Sequence, residues 1–505
     1  MRARTLLTVA VVAAGLILPV SRQDAGASAT AASERAPEQS ATTIEAALDR
    51  LFDASALDGA LLAVHIVSLD DGSVIYSRNA GIRVMPASTM KLVTAAVAAE
   101  RLGWDYTFET RLEMTGPVAD GVLGGDLIVA GSGDPTIEAQ ELRTAPLFEE
   151  WADRLVEAGI TAVDGRLIGD DDAFDDEAAG AGWAWDYLTA AYAPPSGALN
   201  YNESLVAVRV LAAPPEAHDT SPRVELAPVG HGLTIDNRVR RVGRGQPAAL
   251  SVSRLPGETT LVVEGTLPVG RTSLITATTV PNPTLFFVEG LRVALASRGI
   301  EVRGGAHDID DVPVGARPRR VFARHTSAPL RTIAAKMLKD SPNLYGEVIF
   351  KAIGHETGKA DEGTVDAARR VVAETLSDWD VPEGSLVMYD GSGLSRYNYV
   401  TADLLVRVLE RMWHDERHRA AFVAGLPIAG IDGTLASRMR GTLRRRVQAK
   451  TGTISNARAL AGYLDTATRG RLAFAMVANH FIVRSAEVDA VMERMLELLA
   501  ESPPD

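Results

Sequence analysis

The chain predicts an α/β (α+β) fold whose main domain is split in sequence, with one or two mainly β domains inserted between its parts. Three observations carry this. Residues 44–102 and 321–505 hold apolar residues at helical spacing, interleaved with β-prone runs. Residues 103–320 instead alternate short β-prone runs with Gly and Pro. Three short polar motifs, Ser88-Thr89-Met90-Lys91, Ser341-Pro342-Asn343 and Lys450-Thr451-Gly452, all fall outside that middle region.

A length of 505 residues exceeds what one hydrophobic core organises. At the N-terminus Arg2 and Arg4 precede an apolar run from Leu6 to Val20, and Ala25-Gly26-Ala27-Ser28-Ala29 supplies small residues. This is the pattern of a secretory signal over residues 1–29. The apolar run is shorter than the ~20 residues that span a bilayer. Residues 30–43 read as a disordered spacer. A short helix follows from Thr43 to Phe52. A strand pair, Ala60–Leu69 and Ser73–Ser77, is joined by the turn Asp70-Asp71-Gly72. Pro86-Ala87-Ser88 opens a helix that runs to about Leu102 and stops at Gly103.

The middle region predicts strands at Gly125–Ala130, Gly165–Gly169, Leu205–Leu211, Thr260–Gly265 and Ser273–Thr279, with helices at Pro146–Ala158 and Thr284–Arg298. Helices return at Pro329–Lys339, Leu344–Ile353, Thr364–Asp378 and Ala402–Trp413. Three strands then follow at Arg446–Thr453, Ala457–Asp465 and Arg471–Asn479, and a last helix at Ala486–Ala500. The acidic face of that helix opposes docking on anionic lipid, so it reads as a core-packing helix.

A net charge of -14 argues against nucleic acid as a partner. The basic runs Arg444-Arg445-Arg446 and Arg317–Arg320 read as solvated edges. Cysteine is absent, which removes disulfides, thiolate metal sites and a cysteine nucleophile. His414 and His418 stand at i and i+4, but the acid between them is misplaced for a zinc helix and no third ligand is evident, so no metal or cofactor is expected. No Gly-x-Ser-x-Gly elbow occurs, against an α/β-hydrolase.

Lysine is the most informative residue type. The chain has six, Lys91, Lys336, Lys339, Lys351, Lys359 and Lys450, while arginine supplies nearly all other positive charge. Arginine cannot act as a base that must lose its proton. Ser88 and Lys91 at i and i+3 share one helix face. Ser88 also lies at a helix N-terminus, where developing negative charge is favoured. For Lys91 to serve as base its pKa must fall, through burial and a second cation, for which Lys450 is the candidate.

The ordered motifs are the signature of β-lactamases and penicillin-binding proteins. The chain resembles the penicillin-binding protein 4 type of D-alanyl-D-alanine carboxypeptidase and endopeptidase (low-molecular-mass class C). The resemblance also rests on residues Met85–Lys91, Gly131–Pro135, Asp390–Arg396 and Leu426–Leu435, and covers nearly the whole mature chain. The long gap from Ser88 to Ser341 fits inserted domains at that point. The resemblance implies a β-lactamase/transpeptidase-like domain, an antiparallel sheet flanked by helices, from residues 44–102 and 321–505, with residues 103–320 as an insert, read as two nested domains.

It further implies a serine DD-peptidase acting on peptidoglycan stem peptides and cross-links, acylated by β-lactam antibiotics. Ser88 would be the nucleophile, Lys91 its base and Ser341 the relay to the leaving amine. Asn343 would bind the substrate amide, Lys450 would hold Ser341, and Thr451 and Thr453 would bind the terminal carboxylate beside Gly452. The backbone N–H groups of Ser88 and Thr453 would form the oxyanion hole. Pro342 departs from the pattern, at a position that mainly orients the loop. Asp390–Gly393 reads as a tight turn, with Ser395 and Arg396 beside the cleft. A β-lactamase shares the acylation machinery, but the insert and the whole-chain resemblance favour the peptidase. The expected location is exported, in the periplasm or cell-wall space, with at most peripheral membrane contact.

Overall fold

A computed structural model describes residues 44–54, 57–140, 143–213, 221–313, 317–359 and 362–501. The expected signal segment and spacer lie outside the described residues. In the N-terminal part the elements are α1 (Ile44–Phe52), β1 (Leu61–Ser68), β2 (Val74–Arg78) and α2 (Met90–Arg101). After the insert come α3 (Leu330–Lys339), α4 (Asn343–Thr357), α5 (Thr364–Asp378), α6 (Ala402–His414) and α7 (Glu416–Gly425). The chain closes with β3 (Val447–Ile454), β4 (Ala457–Asp465), β5 (Arg471–Asn479) and α8 (Ser485–Glu501).

The five strands form one antiparallel sheet in the order β2-β1-β5-β4-β3. Segments far apart in sequence therefore meet inside it: β1 pairs with β5 in unbroken register from Leu61↔Asn479 to Ser68↔Leu472. Both faces are covered, as the strands' near-continuous apolar sequences require. Alternate residues of β1 serve opposite cores: Leu62, Val64 and Ile66 pack with Leu48 of α1 and with Met492, Met495 and Leu499 of α8. Ala63 and Val67 join the core built by α2 to α7. Within that core α2 is buried from Met90 to Ala99, so this helix is the central post of the catalytic side.

In the middle region, strands Glu109–Thr115, Leu127–Ala130, Leu167–Asp170, Ala306–Asp308 and Arg319–Thr326 make a five-stranded sheet. Helices Pro146–Glu157 and Pro283–Ser297 share its core through Phe148, Trp151, Phe286, Phe287 and Leu291. Between Leu205 and Thr279 lie two three-stranded sheets with a separate small core of Val208, Val210, Val239, Leu261, Val263 and Leu267. Arg319–Thr326 pairs with Glu109–Thr115, so the expected boundary between residues 320 and 321 falls inside a strand of the insert's sheet. The helix expected to open at Pro86 instead begins as a 3-10 turn, Ala87–Thr89, before α2.

Candidate active site

Ser88 stands in that 3-10 turn, and its hydroxyl faces Lys91 Nζ. The turn is pinned from behind. Asn479, at the end of β5, accepts from Met85 N–H (2.6 Å) and donates to Met85 O (3.2 Å), mimicking a strand partner. Lys91, the second residue of α2, is fully buried, and its Nζ lies 3.0 Å from Ser88 Oγ, 2.5 Å from Asn343 Oδ1 and 3.0 Å from Ser392 O.

Asn343 Oδ1 and Ser392 O can only accept. A neutral Lys91 amine gives its two N–H groups to them and turns its lone pair to the Ser88 O–H. Burial pulls the Lys91 ammonium down to about 7, against the opposing pull of the Glu347 and Asp390 carboxylates. Removing a charge from water is costly enough that the neutral form gains ground even beside two carboxylates. Of the two causes expected, burial is the one that lowers Lys91. The effect of the lysine pairing falls on Lys450, which is held well below its usual range by burial first and by Lys91 second.

Ser341 terminates α3 in the left-handed region, at φ +66°, and Ala87, beside Ser88, has φ +47°. Such backbone in a non-glycine residue costs about 1–3 kcal/mol and is held by its surroundings. Pro342 is the N-cap residue of α4, with φ -60°, where its missing N–H removes no helix bond. Lys450 Nζ donates to Ser341 Oγ (2.8 Å) and to Thr451 O (3.0 Å). Thr451 Oγ1 donates to Thr434 Oγ1 (2.8 Å). Thr434 sits in a loop held by Lys339, which pairs with Asp432 (2.6 Å).

Thr453 is exposed, and its hydroxyl accepts from Arg458 across the hairpin. β3 is the edge strand. Residues 427–429 cover its outer side as far as Ala449. Gly452 lies against the Ser88 turn: a Cβ there would sit 2.6 Å from Pro86 O and 3.2 Å from Ala87 Cβ. Only glycine lets the strand edge approach the serine this closely.

Hydrogen bonds and close contacts thus bring Ser88, Lys91 and Asn343 together, join Ser341 to Lys450, and set Gly452 against the Ser88 turn. One buried carboxylate, Glu347, was not among the expected residues. Glu347 is buried one turn along α4 from Asn343, and its carboxylate accepts from Gly391 N–H (3.2 Å) and Ser392 N–H (2.9 Å). Burial, reinforced by Asp390, raises its pKa. Asp390 organises the expected tight turn, accepting from Gly393 N–H (2.8 Å), Ser395 N–H (2.6 Å) and Trp183 Nε1 (2.8 Å). Arg396 spans the cleft mouth, donating to Tyr187 Oη (3.1 Å) and Ser455 O (3.3 Å). The signal for Glu347 was present: it interrupts the apolar run Leu344–Ile353 of α4. His418, singled out with His414, lies 3.2 Å from Glu100.

A serine beside a buried lysine, facing the edge strand of an antiparallel sheet between helical layers, defines a lysine-activated serine peptidase on the transpeptidase-like fold. Residues 44–502 match the D-Ala-D-Ala carboxypeptidase 3 (S13) family, and the chain belongs to it. It is 35% identical over 477 residues to a D-alanyl-D-alanine carboxypeptidase of Actinomadura sp. (strain R39), covering 92% of this chain and 86% of that one. It is 26% identical over 418 residues to D-alanyl-D-alanine carboxypeptidase DacB of Haemophilus influenzae, covering 82% and 84%. The fold matches the crystal structure of penicillin binding protein 4 (dacB) from Haemophilus influenzae with a TM-score of 0.75 at 25% identity, over 89% of this chain and 97% of that one. The protein is a serine-type carboxypeptidase of this family.

Proposed function

We propose that the protein removes the terminal D-alanine of peptidoglycan stem peptides ending in D-Ala-D-Ala, through an acyl-enzyme on Ser88. Neutral Lys91 takes the Ser88 proton as Oγ attacks the carbonyl of the penultimate residue. Backbone N–H groups of Ser88 and Thr453 receive the oxyanion. Ser341, held by Lys450, gives its hydroxyl proton to the departing amine and is reprotonated by the proton Lys91 took from Ser88, and water then releases the acyl group. Asn343 holds the substrate amide. Thr451 and Thr453, beside Gly452 and near the Lys450 and Arg458 charges, receive the terminal carboxylate. The observation that carries this reading is the hydrogen-bond arithmetic at Lys91, whose two acceptors leave a neutral amine's lone pair for Ser88. A cross-link presents the same kind of D-amino-acid amide, so DD-endopeptidase activity belongs to the same site.

A β-lactam amide enters the same chemistry and stays on Ser88. Intact-mass analysis after incubation with benzylpenicillin is expected to show one adduct on the wild type and none on Ser88→Ala; an adduct on that variant refutes the assignment. Nitrocefin should give a stoichiometric burst, and sustained turnover would instead mark a β-lactamase. Mass spectrometry of muropeptides reads the balance of carboxypeptidase and endopeptidase cleavage.

The substrate's location and the N-terminal pattern support export to the periplasm or cell-wall space. Among the described residues no helix is long and apolar enough to cross a membrane. For the domains, we read 44–102 and the C-terminal part as the catalytic domain and the middle as the insert, with Arg319–Thr326 on the insert's side because of its strand pairing.

A further inference from the structure

Three of the chain's six lysines are buried, Lys91, Lys351 and Lys450, and the reaction uses two of them. Lys351 lies on α4, two turns beyond Asn343, and is 2% exposed. Its Nζ donates to three backbone carbonyls of the insert: Asp175 O (3.2 Å), Glu177 O (2.7 Å) and Ser196 O (3.4 Å). The Asp175 carboxylate is its counter-charge at 3.5 Å. An ammonium has three hydrogens, so these carbonyls account for all of them.

The three carbonyls sit at the two ends of one loop. Ser196 N–H donates to Ala178 O (2.9 Å), which closes the loop at its base. Asp175 further ties the base to α5, accepting from Val365 N–H (3.0 Å). From this base the loop reaches over the catalytic centre. Trp183 Nε1 donates to Asp390, and Ala181 O accepts from Ser395 Oγ (2.6 Å). At the far side Tyr192 O accepts from Asn343 Nδ2 (2.6 Å).

That last bond decides which way the Asn343 amide faces. With Nδ2 on the Tyr192 carbonyl, Oδ1 must face Lys91. Flipped, the amide would point its N–H groups at the amine and compete with Ser88 for the lone pair. We propose that Lys351 is a positioning residue: it pins both ends of the 178–196 loop to the catalytic core, so that the Tyr192 carbonyl keeps Asn343 in the orientation Lys91 needs. The loop belongs to the insert, so by this route the insert completes the active site.

The inference rests on Ser88 and Lys91 being the acylation pair. Failure of that reading would show as a wild type that benzylpenicillin does not acylate, an outcome separate from those below. The test is Lys351→Met, which keeps the stem and removes the donors. Acylation by benzylpenicillin is expected to slow at least tenfold in its first-order step, with the preceding binding constant little changed. Amides of residues 178–196 should exchange with deuterium at least tenfold faster, while those of β3, β4 and β5 keep wild-type protection. A first-order step within threefold of wild type overturns the proposal whatever the loop does, and so does a loss of protection spread evenly over the sheet. If Lys351→Met does not fold, Trp183→Phe removes a milder anchor of the same loop. At least a threefold slower first-order step with faster loop exchange supports the proposal, and a rate closer to wild type overturns it.

Discussion

Lys91 has three neighbours and, when neutral, two hydrogens to give them. Only above its pKa does it offer Ser88 a lone pair, and burial brings that pKa to about 7. The second-order acylation rate should therefore fall as pH drops through about 7 and level off above it, as measured with benzylpenicillin across buffers. Lys91→Arg keeps the charge but cannot lose it, so acylation should fall by about a thousandfold or more, in the range of a lost general base. Near-normal acylation would refute Lys91 as the base. At this scale the sequence was readable wherever chemistry comes in short motifs. Glu347 and Tyr192 were not: Glu347 holds backbone N–H groups more than forty residues along the chain, and Tyr192 acts through a backbone carbonyl. Tyr192 matters here for its carbonyl, which any residue carries.

Edge strand β3 and the 3-10 turn at Ser88 touch through Gly452. In Gly452→Ala the new methyl must push Pro86 O away from 2.6 Å. Overpacking of this kind costs about 1–3 kcal/mol. A displacement near 1 Å at the reacting atoms costs about a hundredfold in rate. Acylation should thus fall by about two orders of magnitude while thermal unfolding moves only a few degrees, a split that stopped-flow acylation and calorimetry together will read. Elements with a clear period were legible: Ala457–Asp465, Arg471–Asn479 and Thr364–Asp378 coincide with β4, β5 and α5. The start of α2 was not, because Pro86 and the strained Ala87 hold a 3-10 turn that apolar spacing cannot distinguish from a helix.

Over the whole molecule, residues 209–275 pack largely on a small core of their own, with Val210, Val239, Leu261, Val263 and Leu267 beside Val208. Val208 and Thr276 are direct cross-strand partners, so an Asn-Gly turn can join them in place of residues 209–275. The strand end that touches the 178–196 loop, where Thr278 Oγ1 donates to Thr189 O (2.9 Å), stays in place. The shortened protein should fold and be acylated by benzylpenicillin within a few-fold of wild type; loss of acylation in a folded product would show that the nested unit supports the site. The sequence marked this middle region by its Gly and Pro rhythm, but not its inner edge. Arg319–Thr326 is basic and flanked by loops, and only its pairing with Glu109–Thr115 shows where it belongs.

The pairing of β1 with β5 has a consequence for the order in which the protein comes into being. Asn479, which braces the turn carrying Ser88, lies 394 residues after Met85. Until the ribosome has completed β5, Ser88 lacks this brace, and until it has made β3 it also lacks the edge strand that faces it. A growing chain therefore holds Ser88 without its brace, and reactivity arrives only when β5 pairs with β1.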